Sequence, residues 1–229
     1  MNQKDDDLII RQAPLFSALD DDASHALRAS MVALKLNKGQ VLFKEGQEGD
    51  RLYVVVHGKI KLGTTSGDGR ENLLSILGPG EMFGELSLFD PEPRTSTATA
   101  VTDVRLVSLA HDAVIGLVTS NPQTSLELLR RLAQRLRKSN EILADLVFAD
   151  VPGRVAKAIM DLGERFGVLK DDGLHVNHDL TQEELAQLVG ASRETVNKAL
   201  ADFAARGWVK LEPRAVLVTD VERLTKRGR

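Results

Sequence analysis

Two short stretches of this chain gather side chains that do chemistry together. In Phe83-Gly84-Glu85-Leu86-Ser87-Leu88-Phe89-Asp90-Pro91-Glu92-Pro93-Arg94-Thr95-Ser96-Thr97, a glycine, a carboxylate and an arginine fall within eleven positions. A carboxylate accepts from a sugar hydroxyl, a guanidinium neutralises a phosphate, and a glycine lets backbone amides approach a ligand. The same residues also suit a loop with a surface Glu–Arg ion pair, and their chemistry alone leaves both readings open.

The second stretch is Arg193, Glu194, Asn197 and Lys198, at i, i+1, i+4 and i+5 of an expected helix. Arginine binds guanine bidentately, glutamate accepts from cytosine, and lysine reaches guanine or phosphate. An ordinary solvated helix face is the plainer reading. The surroundings favour the first. Thr181 with Glu184 forms a capping box, Gly190 permits a sharp turn, and Ser192 caps the second helix. Ala186, Gly190 and Val196 have the spacing of a helix-turn-helix, with Val196, Leu200 and Phe203 on the inner face. Trp208–Leu211 and Ala215–Val218 flank Glu212-Pro213-Arg214 as a β-hairpin, the wing of a winged helix. Aromatics make up 4% of the chain, too few for stacking recognition of single-stranded RNA.

Other elements must carry these two sites. Ten of the 18 glycines lie between Gly39 and Gly84, in a segment that alternates apolar and polar residues through 41–43, 52–56, 59–62 and 73–77. With a closing strand at Val104–Leu109, this reads as an antiparallel barrel or sandwich. Asp20–Ala29 reads as a short helix opened by Asp20–Asp22, and the Asp5–Asp7 triplet as a solvated end. From Pro122 to Phe148 there is no glycine and no further proline, and Ser120 or Asn121 is placed to cap a long helix. Leu126, Leu129, Ala133, Leu136, Asn140, Leu143 and Val147 follow a heptad seam, which predicts pairing with a second copy of the same helix. A helix resting on its own barrel is the alternative. Asn140 is the polar interruption, suited to fixing register, contacting a ligand, or both. Asp150-Val151-Pro152-Gly153 reads as a hinge, followed by an amphipathic helix from Arg154 to Phe166 and a polar connection from Gly167 to Asn177.

Phe83–Ser87 with Arg94-Thr95 resembles the phosphate-binding cassette of cyclic-nucleotide domains, and Ser192–Val196 resembles a recognition helix. Together, across residues of about 10–220, the chain is similar to the cyclic-AMP receptor protein family of bacterial transcription regulators, most of all its actinobacterial branch. That resemblance implies an α+β fold: an N-terminal cyclic-nucleotide-binding β-roll (jelly-roll-like) at 1–118, a long central dimerisation helix at 119–149, and a C-terminal winged helix-turn-helix at 150–229. It implies cyclic AMP as effector, with Arg94 and Thr95 on the phosphate beside amides near Leu86 and Ser87. Glu85 would bind the ribose 2′-hydroxyl with Gly84 alongside. Ser139 and Asn140 would reach the adenine amino group, one from each subunit. Arg193, Glu194 and Lys198 would read base edges of double-stranded DNA, and Ser192 and Thr195 would contact phosphates. The implied partners are a second copy of the chain, a palindrome with TGTGA-like half-sites and RNA polymerase. A relative answering to another small ligand, or binding DNA with little effector dependence, is the alternative. Well-known members carry Thr-Ser where this chain has Ser139-Asn140, and Arg where it has Lys198, which keeps the charge but loses the planar fork.

Composition narrows the rivals. The chain has 229 residues and no cysteine, which removes disulfides, Cys-ligated zinc, iron–sulfur sensing and thiol nucleophiles. No haem pattern surrounds His57, His111, His175 or His178, and the His175/His178 pair has no third ligand nearby. With only His57 in the barrel region, a metal-dependent cupin enzyme is disfavoured, so neither catalysis nor a metal is expected. No signal-peptide layout or membrane-length apolar run stands out, which points to the cytoplasm and no membrane. The net charge of −3 argues on its face against a polyanion partner. It arises entirely within residues 1–149; residues 150–229 hold 13 basic and 13 acidic side chains. The basic groups are therefore placed rather than abundant: Arg193 and Lys198, then Lys210 and Arg214 near the wing, then a tail of Arg223, Lys226, Arg227 and Arg229.

Overall fold

The computed structural model describes residues 8–10, 13, 16, 19, 27–90 and 92–228. Asp5–Asp7, the Asp20–Asp22 cap and Arg229 lie outside the described residues; of the helix expected from Asp20, residues 27–29 are described and helical. Contacts divide the chain into two units, residues 1–64 with 74–138, and residues 65–73 with 139–229.

The first unit is built on two four-stranded antiparallel sheets. One has the order β1 (Val32–Leu36), β8 (Val104–Ala110), β3 (Arg51–His57) and β6 (Met82–Phe83). The other has the order β2 (Val41–Phe43), β7 (Thr97–Ala100), β4 (Ile60–Thr65) and β5 (Glu71–Leu77). Strand β3 explains the apolar run in the sequence. Leu52 through Val56 are all buried because both faces of the strand are covered. Tyr53 and Val55 point into a core with Ile60, Leu62, Phe83 and Leu106. Leu52, Val54 and Val56 face a second core with Phe16, Leu88, Leu109 and Val114. The sequence pattern missed β1, an edge strand that is mostly exposed, β6, which has two residues, and β7, which carries threonine and alanine in place of an aliphatic run. It also missed two helices, α1 (Leu86–Phe89) and α2 (His111–Ser120).

Helix α3 runs from Pro122 to Phe148, the span its sequence predicts. Asn121 is the cap, its Oδ1 accepting from the Gln123 and Thr124 amides at 3.1 Å. Leu128 is buried, so one stripe of the helix does lie on its own unit. The heptad seam faces outward: Leu129, Leu136, Leu143 and Val147 are 61–74% exposed.

The second unit corrects the reading of residues 150–177. Helix α4 begins at Val151, not Arg154, and runs to Phe166. Pro152 sits in the first turn, where its missing N–H costs nothing, and Asp150 caps that turn by accepting from the Gly153 amide at 2.9 Å. Arg227 and that amide hold the Asp150 carboxyl below the usual carboxylate range. Residues 167–177 are not a featureless connection. β9 (Gly167–Lys170) and β10 (Gly173–Val176) pair as a hairpin. They were hidden because β9 is an edge strand whose Val168 and Leu169 are exposed, which erases the inside-outside alternation. β10 pairs in turn with β12 (Ala215–Val218), and β12 with β11 (Val209–Glu212).

Between the hairpins lie α5 (Gln182–Val189) and α6 (Arg193–Ala205). The Thr181/Glu184 capping box is formed, and Gly190 takes the left-handed conformation at φ 69° that the turn requires. Ala186, Val196, Leu200 and Phe203 are buried, as the spacing predicts. The chain closes with α7 (Val221–Arg227). No described helix is long and apolar enough to cross a membrane. Phe203 is 1% exposed and stacks on Trp208 with ring centroids 5.7 Å apart. Phe203→Ala is expected to destabilise this unit by about 3–5 kcal/mol, read as a shift in its urea midpoint.

Candidate functional site

Arg94 is 5% exposed inside the first unit. Its Nη1 donates to the Gly84 carbonyl at 2.8 Å and its Nη2 to the Arg51 carbonyl at 2.7 Å. The guanidinium carbon lies 4.4 Å from the Phe43 ring centroid and 5.8 Å from that of Tyr53, so aromatic faces supply part of the lost hydration. Burial lowers the Arg94 pKa, opposed by Tyr53, Asp50 and Glu85, and burial likewise raises that of the Tyr53 hydroxyl. Arg94 Nε is buried without a partner. A donor held in place and left unsatisfied in a low-dielectric wall is suited to an anion.

Glu85 is 2% exposed and does not pair with Arg94. The alternative of a surface Glu–Arg pair therefore fails: both groups are buried, and Glu85 Oε1 accepts instead from Arg135 Nη1 on α3. Its Oε2 is buried and unpartnered. Arg94, Glu85 and Arg135 line one open concavity, together with Gly84, Leu86, Ser87, Thr95, Ser96, Phe43 and Leu62. The predicted residues Gly84, Glu85, Leu86, Ser87, Arg94 and Thr95 are thus brought together. Leu86 and Ser87 open α1, where first-turn amides have no intrahelical acceptor. Ser139 and Asn140 do not line this concavity; both are exposed on α3.

Glycine supplies the room for Arg94. Gly84 has φ 83°, and a Cβ there would lie 2.7 Å from Arg94 Nη1 and 3.1 Å from the Arg51 carbonyl. Gly49 was not anticipated. A Cβ there would lie 2.4 Å from Arg94 Nε, so the guanidinium rests directly on its backbone. In the sequence Gly49 looks like one more turn glycine. Arg135 was also missed, because nothing local separates it from Arg130, Arg131 or Arg137.

In the second unit, Ser192 caps α6, with the Thr195 amide donating to its Oγ at 3.2 Å and the two hydroxyls 2.8 Å apart. Arg193, Glu194 and Lys198 are exposed on one face, and Asn197 is half-buried. Lys198 Nζ donates to Glu194 Oε1 at 2.7 Å, an i,i+4 pair that presents donor and acceptor as a unit. At the tip of the β11–β12 hairpin Arg214 adopts φ 59°, with its carbonyl accepting from the Asp179 amide at 2.9 Å. His178 is buried, and its Nδ1 accepts from the Leu180 amide, while His175 pairs with Asp172. Among the described residues no cluster of three or more His, Asp or Glu is arranged to hold a metal.

Comparison with known proteins finds two family matches in the chain. Residues 33–121 match the cyclic nucleotide-binding domain and residues 153–227 the Crp-like helix-turn-helix domain. The chain is 54% identical over 223 residues to a CRP-like cAMP-activated global transcriptional regulator of Mycobacterium tuberculosis, covering 97% of this chain and all of that one. It is 34% identical to the cyclic AMP receptor protein of Thermus thermophilus, covering 92% of this chain and 94% of that one. The fold is shared with FixK2 of Bradyrhizobium japonicum at a TM-score of 0.78 and 19% identity, over 87% of this chain and 98% of that one. Arg135→Ala leaves the buried Glu85 carboxylate without its cation. The expected loss, reduced because Arg135 is 45% exposed, is up to about 3 kcal/mol in the stability of the first unit, measured by denaturant unfolding.

Proposed function

Because the chain belongs to the cyclic-AMP receptor protein family of transcription regulators, we propose that it is a cyclic-AMP-responsive regulator whose effector occupies the Arg94/Glu85 concavity and biases a homodimer toward binding palindromic DNA. The observation that carries this reading is the pair of buried unpartnered atoms, Arg94 Nε and Glu85 Oε2, on residues lining one opening. One is a donor on a cation and the other an acceptor on a carboxylate. A cyclic nucleotide brings the complements of both, an anionic phosphate and a ribose hydroxyl. The residues present fit that ligand.

In this reading Arg94 holds the phosphate, assisted by Thr95 and the first-turn amides of Leu86 and Ser87. Glu85 takes the ribose hydroxyl beside Gly84. Arg135, already on Glu85, is part of the same polar set, so a ligand engaging Glu85 acts on a side chain of the long helix. Ser139 and Asn140 are assigned to the base, one from each protomer, on the strength of the resemblance and their exposure. The exposed leucine seam of α3 supports the homodimer, since an apolar stripe of this length facing water favours pairing with its own copy.

The winged helix-turn-helix carries DNA recognition. Arg193, Glu194 and Lys198 are assigned to base edges of a TGTGA-like half-site, and Ser192 and Thr195 to phosphates. The Glu194 pairing moderates the charge that Lys198 offers, and lysine lacks the guanidinium fork, so discrimination is weakest at the base it faces. A dimer places its two recognition helices about 34 Å apart, one turn of DNA. The ligand shifts that arrangement only by its differential affinity for the two states. The working division is 1–118 for effector binding, 119–149 for dimerisation and 150–229 for DNA, with RNA polymerase as the further partner.

Calorimetry tests the effector site. Arg94→Ala is expected to weaken cyclic AMP binding by roughly 10- to 100-fold, the worth of charge-assisted hydrogen bonds; unchanged affinity would remove Arg94 from the site. A gel-shift titration with and without cyclic AMP tests the DNA face. Arg193→Ala should cost about 1–3 kcal/mol on a TGTGA palindrome and little on random DNA, whereas an equal loss on both would make Arg193 a phosphate contact.

A further inference from the structure

The basic C-terminal helix has no part in the function proposed above, yet its end is built into the start of α4. Asp150 caps α4 through the Gly153 amide, and the same carboxylate receives Arg227 Nη2 at 2.8 Å on Oδ1 and 2.6 Å on Oδ2. The backbones approach closely as well. A Cβ on Gly153 would lie 3.2 Å from Arg227 Nη1 and 3.4 Å from the Arg227 carbonyl. A Cβ on Gly228 would lie 2.9 Å from the Lys157 amide nitrogen. Two glycines therefore let the end of α7 rest on the first turns of α4.

The other polar side chains of those turns reach in different directions. Lys157 pairs with Asp145 near the end of α3 at 2.5 Å. Arg154 donates to the Ala149 carbonyl beyond α3 at 2.9 Å, and to the Val189 and Gly190 carbonyls of the helix-turn-helix at 3.1 and 3.2 Å. The start of α4 is thus a junction joining the last turns of α3, the turn after α5 and the end of α7.

We propose that Arg227 is a positioning residue, a latch that holds the Asp150 cap closed and keeps this junction rigid, so that a change in α3 is passed to the helix-turn-helix. Asp150 is 62% exposed and Arg227 33% exposed, and a pair so placed contributes little to global stability. Its effect is local. Asp150 is held in capping geometry by two partners, and losing Arg227 leaves the cap free to rotate into solvent. The segment the sequence marks as a helix break is thereby a clasped junction, and the clasp comes from 77 residues away.

The test uses the full chain and two readouts. The first is amide hydrogen exchange. Arg227→Ala is expected to speed exchange over residues 151–157 by about fivefold, the worth of one helix cap, with α6 unchanged. Arg227→Lys should restore part of the protection, and Asp150→Asn combined with Arg227→Ala should exchange no faster than Asp150→Asn alone. Unchanged exchange in Arg227→Ala, or additive effects in the pair, would overturn the latch. The second readout, which rests on the function proposed above, is the ratio of operator affinities with and without cyclic AMP. That ratio should fall at least threefold in Arg227→Ala. Faster exchange with an unchanged ratio would overturn the transmission role. If the unaltered chain shows no response to cyclic AMP, the proposed function fails, and hydrogen exchange alone decides the latch.

Discussion

A full positive charge lies inside the first unit, against aromatic rings, and the surrounding structure is arranged to keep it there. Removing a guanidinium from water is costly unless its donors are satisfied and its charge is balanced. Here two backbone carbonyls take the terminal nitrogens, Phe43 and Tyr53 supply π faces, and Glu85 lies close enough to favour the charged form. The backbone of Gly49 and Gly84 provides space that no side chain would leave. Nε is the one guanidinium nitrogen left without a partner.

The same logic extends to Glu85, which is as buried as Arg94 and balanced by a different arginine. Because Arg135 belongs to α3, the polar chemistry of the concavity includes the element whose outer face carries the heptad seam. Arg135 and the exposed leucine seam thus lie on one helix.

In the second unit the equivalent constraint is the start of α4. A proline and a glycine together look like a flexible link, but in the first turn of a capped helix each is structurally apt. Proline lacks an amide that would have gone unused, and glycine admits the neighbouring chain. Asp150, Arg154 and Lys157 then tie that turn to three other segments. The charge balance takes its meaning from this. Residues 150–229 are neutral, and several basic groups hold the unit together: Arg154, Lys157 and Arg227 serve the junction. Residues 150–229 thus carry no net excess of cations for bulk attraction to a polyanion.

What the sequence determined by itself was whatever depends on near neighbours. The limits of α3, the capping box, the left-handed Gly190 and the buried Ala186 and Val196 are set by spacings of a few residues, and local backbone geometry enforces them. That Gly84, Glu85 and Arg94 line one concavity was legible for the same reason. What only the tertiary structure decided was which distant groups meet: Arg135 with Glu85, Gly49 with Arg94, Arg227 with Asp150. Each pair is separated by 45 to 77 positions and joins residue types that recur throughout the chain. No local pattern distinguishes the arginine that is used from those that are not. The edge strands β1 and β9 and the interior strand β7 were decided in the same way, by what pairs with them and not by their own periodicity.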